Sequence, residues 1–220
     1  MLAGNVRYYK CDITSPEEIK SVGDQIRSDL GTPSVLVNNA GIGTKMFIHE
    51  TTPEKLKKVM EINLMSHWYT VNEFLPGMVE MKKGHIIGVA SMASFVSSAG
   101  MATYSTSKIG VLAFHEALKQ EIKYVHKVPQ IQATTVHPSW VKTNMTKYLE
   151  KDLVAGGQTL MDAHVVSNAI VKQVLSGRGG QIIIPKRASF VSGLRAWPTW
   201  LQEAFRGFLA KGAAAADKNN

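Results

Sequence analysis

The sequence holds a single cysteine, Cys11, so no disulfide can form within the chain. That excludes the covalent staples of small secreted domains and suits a reducing compartment. No apolar run approaches the roughly 18–20 residues needed to cross a bilayer as a helix. The opening "MLAGNVRYYKCDITSPEE" is too charged to read as a secretory signal. Acidic residues are scarce beside basic ones, 17 against 25, and the formal net charge is +8. Such an excess favours phosphate-bearing cofactors, acidic membrane surfaces or nucleic acid. The basic residues, however, are scattered (Lys55, Lys57, Lys58, Lys82, Lys83, Lys119, Lys123, Lys127, Arg178, Lys186, Arg187), as on a solvated surface. They form no stripe interleaved with aromatics, so no nucleic-acid partner is expected, and no metal site either. Internal repeats are missing, and low complexity is confined to the tail "GAAAADKNN".

What is present is an alternation of short apolar runs and amphipathic segments over a length suited to one domain with a substantial core. "VRYYKCDI" (6–13), "SVLVNN" (34–39), "GHIIGVAS" (84–91), "QIQATTVHP" (130–138) and "GQIIIP" (180–185) read as strands. Between them, "SPEEIKSVGDQIRSDLG" reads as a helix with Ser15 as cap, Pro16 first, Glu17 and Glu18 at its positive end, and Gly31 as the stop. A long helical segment starts near Thr52–Pro53, with a bend expected near Pro76–Gly77, and further helices cover 102–126 and about 162–176. Strand and helix in alternation imply a parallel sheet covered on both faces, an α/β fold. In such sheets ligands bind beyond the carboxyl ends of the strands. "NNAG" (Asn38–Gly41), Ser91 and "HPSWVKT" (137–143) all fall at that end.

In "MATYSTSKIG" (101–110), Tyr104 stands four residues before Lys108, which puts both on one helix face. A free phenol has a pKa of about 10 and is a poor base at neutral pH. A cation beside it favours the phenolate, and a phenol tuned in this way exchanges a proton with an alcohol or carbonyl oxygen. Ser91, at the end of the preceding strand, is placed to hold that oxygen. The pair alone also fits an ordinary surface helix contact. Asn63 also fits a residue bonding backbone across a helix irregularity, Asn38 and Asn39 fit turn formers, and His85, His115 and His137 fit structural histidines.

The setting of the pair resembles the short-chain dehydrogenase/reductase family from about residue 6 to 185. "CDIT" is similar to the family's adenine contact, which points to Asp12 and Ile13. "NNAG" matches the signature after its fourth strand, giving Asn38, Ala40 and Gly41 as cofactor residues. "INL" supplies Asn63, the family's helix asparagine in the proton relay. Ser91 precedes Tyr104 by the family's usual thirteen residues. "HPSWVKTNM" resembles the Pro-Gly segment that leads, through Pro138, to a threonine at the nicotinamide amide, here Thr143; Ser139 replaces the usual glycine. The resemblance thus implies a catalytic set of Asn63, Ser91, Tyr104 and Lys108, with Tyr104 and Lys108 also touching an NADP or NAD cofactor. The positive charge leans toward NADP.

One family hallmark is missing. The strand, glycine-rich turn and helix that hold the cofactor's pyrophosphate have no counterpart; "AGIGTK" and "GRGGQ" are the nearest glycine clusters. "VRYYKCDI" corresponds to the family's third strand, so residues 1–188 read as a Rossmann-type domain lacking the first two strands and helices. "SVLVNN" should then present an unpaired edge. Three readings stay open: a truncated chain, a short form in which 6–13 pairs directly with 34–39, and a sheet completed by a partner. Residues 189–220 read as an amphipathic helical tail, with Phe190, Leu194, Trp197, Leu201, Ala204 and Phe208 as a stripe and Pro198 starting a second helix. It could cover the substrate pocket, meet another subunit in a homo-oligomer, or lie on a membrane. This tail resembles the retinol and 17-beta-hydroxysteroid dehydrogenase branch. That implies a lipophilic alcohol or ketone substrate, lipid metabolism, Met145, Leu160 and Met161 as pocket residues, and a cytoplasmic chain peripheral on endoplasmic reticulum or lipid-droplet membrane. The alternative is a non-catalytic form that associates with membranes or subunits.

Overall fold

The structure, a computed structural model, describes residues 6–43, 45–147, 150–155 and 157–207. Its elements are α1 (Pro16–Leu30), β1 (Val35–Asn38), α2 (Pro53–Met60), α3 (Ser66–Met81), β2 (Gly84–Val89), α4 (Ala102–Gln120), β3 (Ile131–Pro138), α5 (Glu150–Ala155), α6 (Ala163–Leu175) and β4 (Gly180–Ile184). The four strands form one sheet in the order β1-β2-β3-β4, every pair parallel. This is the expected Rossmann-type α/β arrangement.

Alternate strand residues face opposite layers. Ile86 and Ala133 meet Val71, Leu75 and Met78 of α3 and Leu118 of α4. Ile87, Val136 and Ile184 meet Val166 of α6 on the other face. A third cluster, Leu64, Ala90 and Val111, sits where α4 reaches the active end of the sheet. Gly88, in the middle of β2, lies directly under the His115 ring, and an added Cβ would overlap His115 Nε2. Gly88→Ala is therefore expected to cost about 1–3 kcal/mol, read as a lower urea midpoint.

The helix signals act where the sequence puts them. Ser15 Oγ accepts from Glu18 N at 3.1 Å, Pro16 opens α1, and Gly31 closes it at φ 82°. Contrary to its strand-like composition, the segment at 6–13 is not a strand and does not join the sheet. Strands take their hydrogen bonds from neighbours, and among the described residues none lies beside it. It is held instead by Arg7 and Tyr9 on Asp29, and by Asp12 N donating to Glu18 Oε2 at 2.8 Å. The direct pairing of 6–13 with 34–39 does not occur. β1 is accordingly a sheet edge, with Val35 and Val37 each 42% exposed.

The long helical segment also differs from its expected form. It runs through Pro76 unbroken, and its irregularity lies earlier, in a five-residue π turn at Glu61–Met65. The tail starts as a 3₁₀ helix, Lys186–Ala196, so its buried side follows a three-residue period through Val191 and Leu194, while Phe190 is 57% exposed. After a break at Trp197 a further helix spans 199–207, with Pro198 just before it as expected. Phe190, Trp197 and Phe205 form an aromatic cluster at 6.4–6.5 Å. Phe208 lies outside the described residues. Among them no helix is long and apolar enough to cross a membrane.

Candidate active site

The site is assembled at the carboxyl end of β2 and β3 and along one face of α4. β2 ends at Val89, and Ser91 follows in extended conformation as the cap of a short turn, Met92–Ser94. Its hydroxyl accepts from Ala93 N at 3.1 Å and stands beside the Tyr104 phenol, where it acts to lower that phenol's proton affinity. The turn is fastened to α4 by Ser94 Oγ, which donates to Lys108 O at 2.8 Å.

Helical spacing places Tyr104 and Lys108 together, as read from the sequence. Lys108 Nζ stands 5.7 Å from the Tyr104 ring centroid and donates to Val89 O at 2.9 Å. The residue is only 3% exposed, and loss of solvation brings its ammonium down to about 8. The expectation that Lys108 pulls the Tyr104 phenol down is not met in this arrangement. Burial pushes Tyr104 above its ordinary value, and the Ser91 hydroxyl offsets this only in part. The ammonium is turned toward a backbone carbonyl and is itself weakened by burial.

Asn63 lies in the π turn and is fully buried. Its Oδ1 accepts from Ile42 N, and its Nδ2 donates to Ile42 O, both at 2.8 Å, and to Ser107 Oγ at 3.1 Å. Ser107 Oγ in turn donates to Tyr104 O at 2.7 Å. Asn63 therefore ties the loop after β1 to the helix that carries Tyr104. The close packing of α4 on the π turn depends on Gly110, whose added Cβ would stand 2.7 Å from Leu64 Cδ2. Ser107 and Ser94 were not identified from the sequence. Their signal was weak: each is a small hydroxyl residue three positions from another site residue.

Asn38 is buried, and its Oδ1 accepts from Thr70 Oγ1 at 3.0 Å, while its Nδ2 has no protein partner. Ala40 is exposed and Gly41 partly buried. A Cβ on Gly41 would lie 3.4 Å from both Asn63 Oδ1 and Lys108 Nζ, so the loop passes close over the lysine. Met145 also reaches the site: its Sδ would lie 3.1 Å from a Cβ on Gly43, with the Tyr104 ring at 3.4 Å. Met161 instead packs into the α6-side core. Pro138 ends β3, and Thr143 is exposed, its N–H donating to Thr146 Oγ1 at 3.1 Å.

Asp12 and Ile13 lie apart, before α1. The Asp12 carboxylate accepts from Thr14 N at 2.9 Å and Thr14 Oγ1 at 2.8 Å, which holds it below the usual carboxylate range. Asp12 lines a recess of about 340 Å³ with Thr14, Glu54, Lys57, Lys58, Glu61 and Ile62. The unpartnered Asn38 amide, the close pass of Gly41 and the buried Lys108 ammonium fit a nicotinamide–ribose group. Among the described residues no glycine-rich strand-to-helix turn stands beside β1 to receive a pyrophosphate.

The family described as short chain dehydrogenase matches residues 1–154. Dehydrogenase RED3 of Cochliobolus heterostrophus is 40% identical over 130 residues, 59% of this chain and 66% of that protein. Retinol dehydrogenase 10 of Homo sapiens is 39% identical over 137 residues, 62% of this chain and 40% of that protein. The chain thus spans less than two thirds of these relatives' lengths. The crystal structure of a short-chain dehydrogenase from Streptomyces avermitilis superposes with a TM-score of 0.73 over 90% of this chain and 79% of that one. At 23% identity that likeness concerns the fold alone.

Proposed function

The chain belongs to the short-chain dehydrogenase family, and on that premise we propose that it serves an NAD(P)-dependent interconversion of a lipophilic alcohol and its ketone or aldehyde. The observation that carries the reading is the meeting of Ser91 and Tyr104 beside a buried Lys108, whose Nζ stands 5.7 Å from the Tyr104 ring centroid. A nicotinamide, when bound, supplies or takes the hydride. Tyr104 exchanges the proton with the substrate oxygen, and Ser91 holds that oxygen. Lys108, together with Asn38, Gly41, Pro138 and Thr143, holds the nicotinamide end. Asn63 keeps the loop over Lys108 in place and supports the relay of protons.

Met145 beside Tyr104 and the resemblance to retinol dehydrogenases support the lipophilic substrate class. The tail favours contact with a lipid surface, since Phe190 and Trp200 are 57% and 73% exposed with Lys186, Arg187 and Arg195 exposed around them.

Fluorescence titration of the 220-residue chain with NADPH and NADH tests the reading. Saturable binding at micromolar levels, lost in Lys108→Ala, is expected. A folded chain that binds neither nucleotide sinks it and favours the non-catalytic form. The pH dependence has a definite sign. Lys108 attracts an anionic cofactor while charged, so affinity is expected to hold below pH 8 and weaken as pH rises through about 8.

A further inference from the structure

Three imidazoles lie in the core behind the site: His67 on α3, His115 on α4 and His137 on β3, none more than 4% exposed. His67 and His115 pack ring to ring, with centroids 5.6 Å apart. His137 is different, because it touches the site's own backbone. Its Nδ1 lies 3.1 Å from Ser91 O. A carbonyl oxygen only accepts, so Nδ1 carries the hydrogen and Nε2 is left bare. Nε2 has no protein partner, so the Ser91 contact is the one hydrogen bond that this ring makes among the described residues.

That contact is what ties the Ser91 backbone to β3. The last bond between β2 and β3 at this end is Ala90 N donating to Val136 O at 2.8 Å. Ser91 is one residue beyond it, and among the described residues its carbonyl is otherwise met only by Ser94 N, at 3.0 Å, from its own turn. His137 is well fixed for the task. It precedes Pro138, which restricts its backbone to the extended region, and Phe95 packs on its ring at 4.6 Å.

We propose that His137 is a positioning residue for the Ser91–Tyr104 pair: its Nδ1–H holds the Ser91 carbonyl and so aims the Ser91 hydroxyl at the Tyr104 phenol. The role attributed to that pair rests on the oxidoreductase reading above; the geometry does not.

The test compares His137→Asn, His137→Gln and His137→Val in the 220-residue chain with tyrosine labelled with ¹³C at Cζ. Tyr104→Phe assigns the resonance. Asparagine sets an amide N–H where Nδ1 stood, glutamine sets one near Nε2, and valine sets none. The Asn variant is expected to keep the wild-type Tyr104 resonance. In the Gln and Val variants that resonance is expected to move at neutral pH, and the phenol to ionise at higher pH than in wild type. Turnover in His137→Val is expected to fall about tenfold in kcat with little change in KM. An unchanged Tyr104 resonance and titration in folded His137→Val and His137→Gln overturns the proposal. If the Val variant does not fold, identical behaviour of Asn and Gln overturns it. The titration needs neither substrate nor cofactor, so its failure is distinct from failure of the oxidoreductase reading.

Discussion

Tyr104→Phe is expected to lower turnover of a lipophilic alcohol or ketone by about 10²–10⁴-fold, the usual contribution of a positioned acid or base. The change removes one hydroxyl. It leaves the ring's contacts with the 41–43 loop and leaves Ser107 bonded to the Tyr104 carbonyl, so the thermal midpoint is expected to move little. The state of the phenol also sets a direction. Burial holds Tyr104 above its ordinary value, so at neutral pH it is protonated and fit to donate to a carbonyl oxygen. Carbonyl reduction is therefore expected to hold its rate through neutral pH. Alcohol oxidation needs the phenolate and is expected to climb as pH rises. Steady-state rates in both directions across pH 6–9, at cofactor concentrations kept saturating above pH 8, check this. An oxidation rate that falls with rising pH, or a Phe variant of undiminished turnover, would remove Tyr104 from the proton-transfer role.

The second large effect is on stability. Burial depresses His67 to about 3 and His115 and His137 to about 4, and Lys108 adds to the depression at His67 and His137. Their unfolded value is about 6.5. The folded state therefore excludes protons that the unfolded state binds, and stability falls as pH drops below 6.5. The loss is complete only below the folded values, at pH 3–4. By linkage each histidine costs about 2 kcal/mol at pH 5 relative to pH 7. The three act in the same direction, and a loss of several kcal/mol is comparable to the whole stability of many domains. Repulsion between neighbouring imidazolium charges lowers the affinity of each for its proton once the next is charged, so uptake in the folded state is stepwise. Urea unfolding at pH 7 and pH 5, followed by circular dichroism, is expected to show a strongly lowered midpoint at pH 5. His67→Phe is expected to reduce the difference between the two pH values. Equal midpoints at pH 5 and 7 would mean that the imidazoles are hydrated rather than dry.

Much of this protein was legible one segment at a time. α1 declares its ends through Ser15, Pro16 and Gly31 because caps and stops are local hydrogen-bonding and φ preferences. Tyr104 and Lys108 share a face because the helix repeat alone decides it, and Ser91 lies just past the end of β2, where its place after an apolar run puts it. Other features depend on neighbours distant in the chain. Residues 6–13 have the composition of a strand, yet a strand exists only where another supplies its ladder, and among the described residues none does. The π turn at Asn63 follows from packing against Gly110 and from bonds to Ile42 and Ser107, 21 and 44 residues away. His137 read as structural until β3 brought its ring under Ser91, 46 residues earlier. The Tyr104–Lys108 spacing suggested a lowered phenol, but proton affinity is set by solvent exclusion and by where the ammonium points. The sequence by itself determined which residues share a helix face or a strand end, because those are short-range geometry. The tertiary structure alone decided their partners, burial and proton affinities, because desolvation and long-range hydrogen bonds exist only once the elements pack.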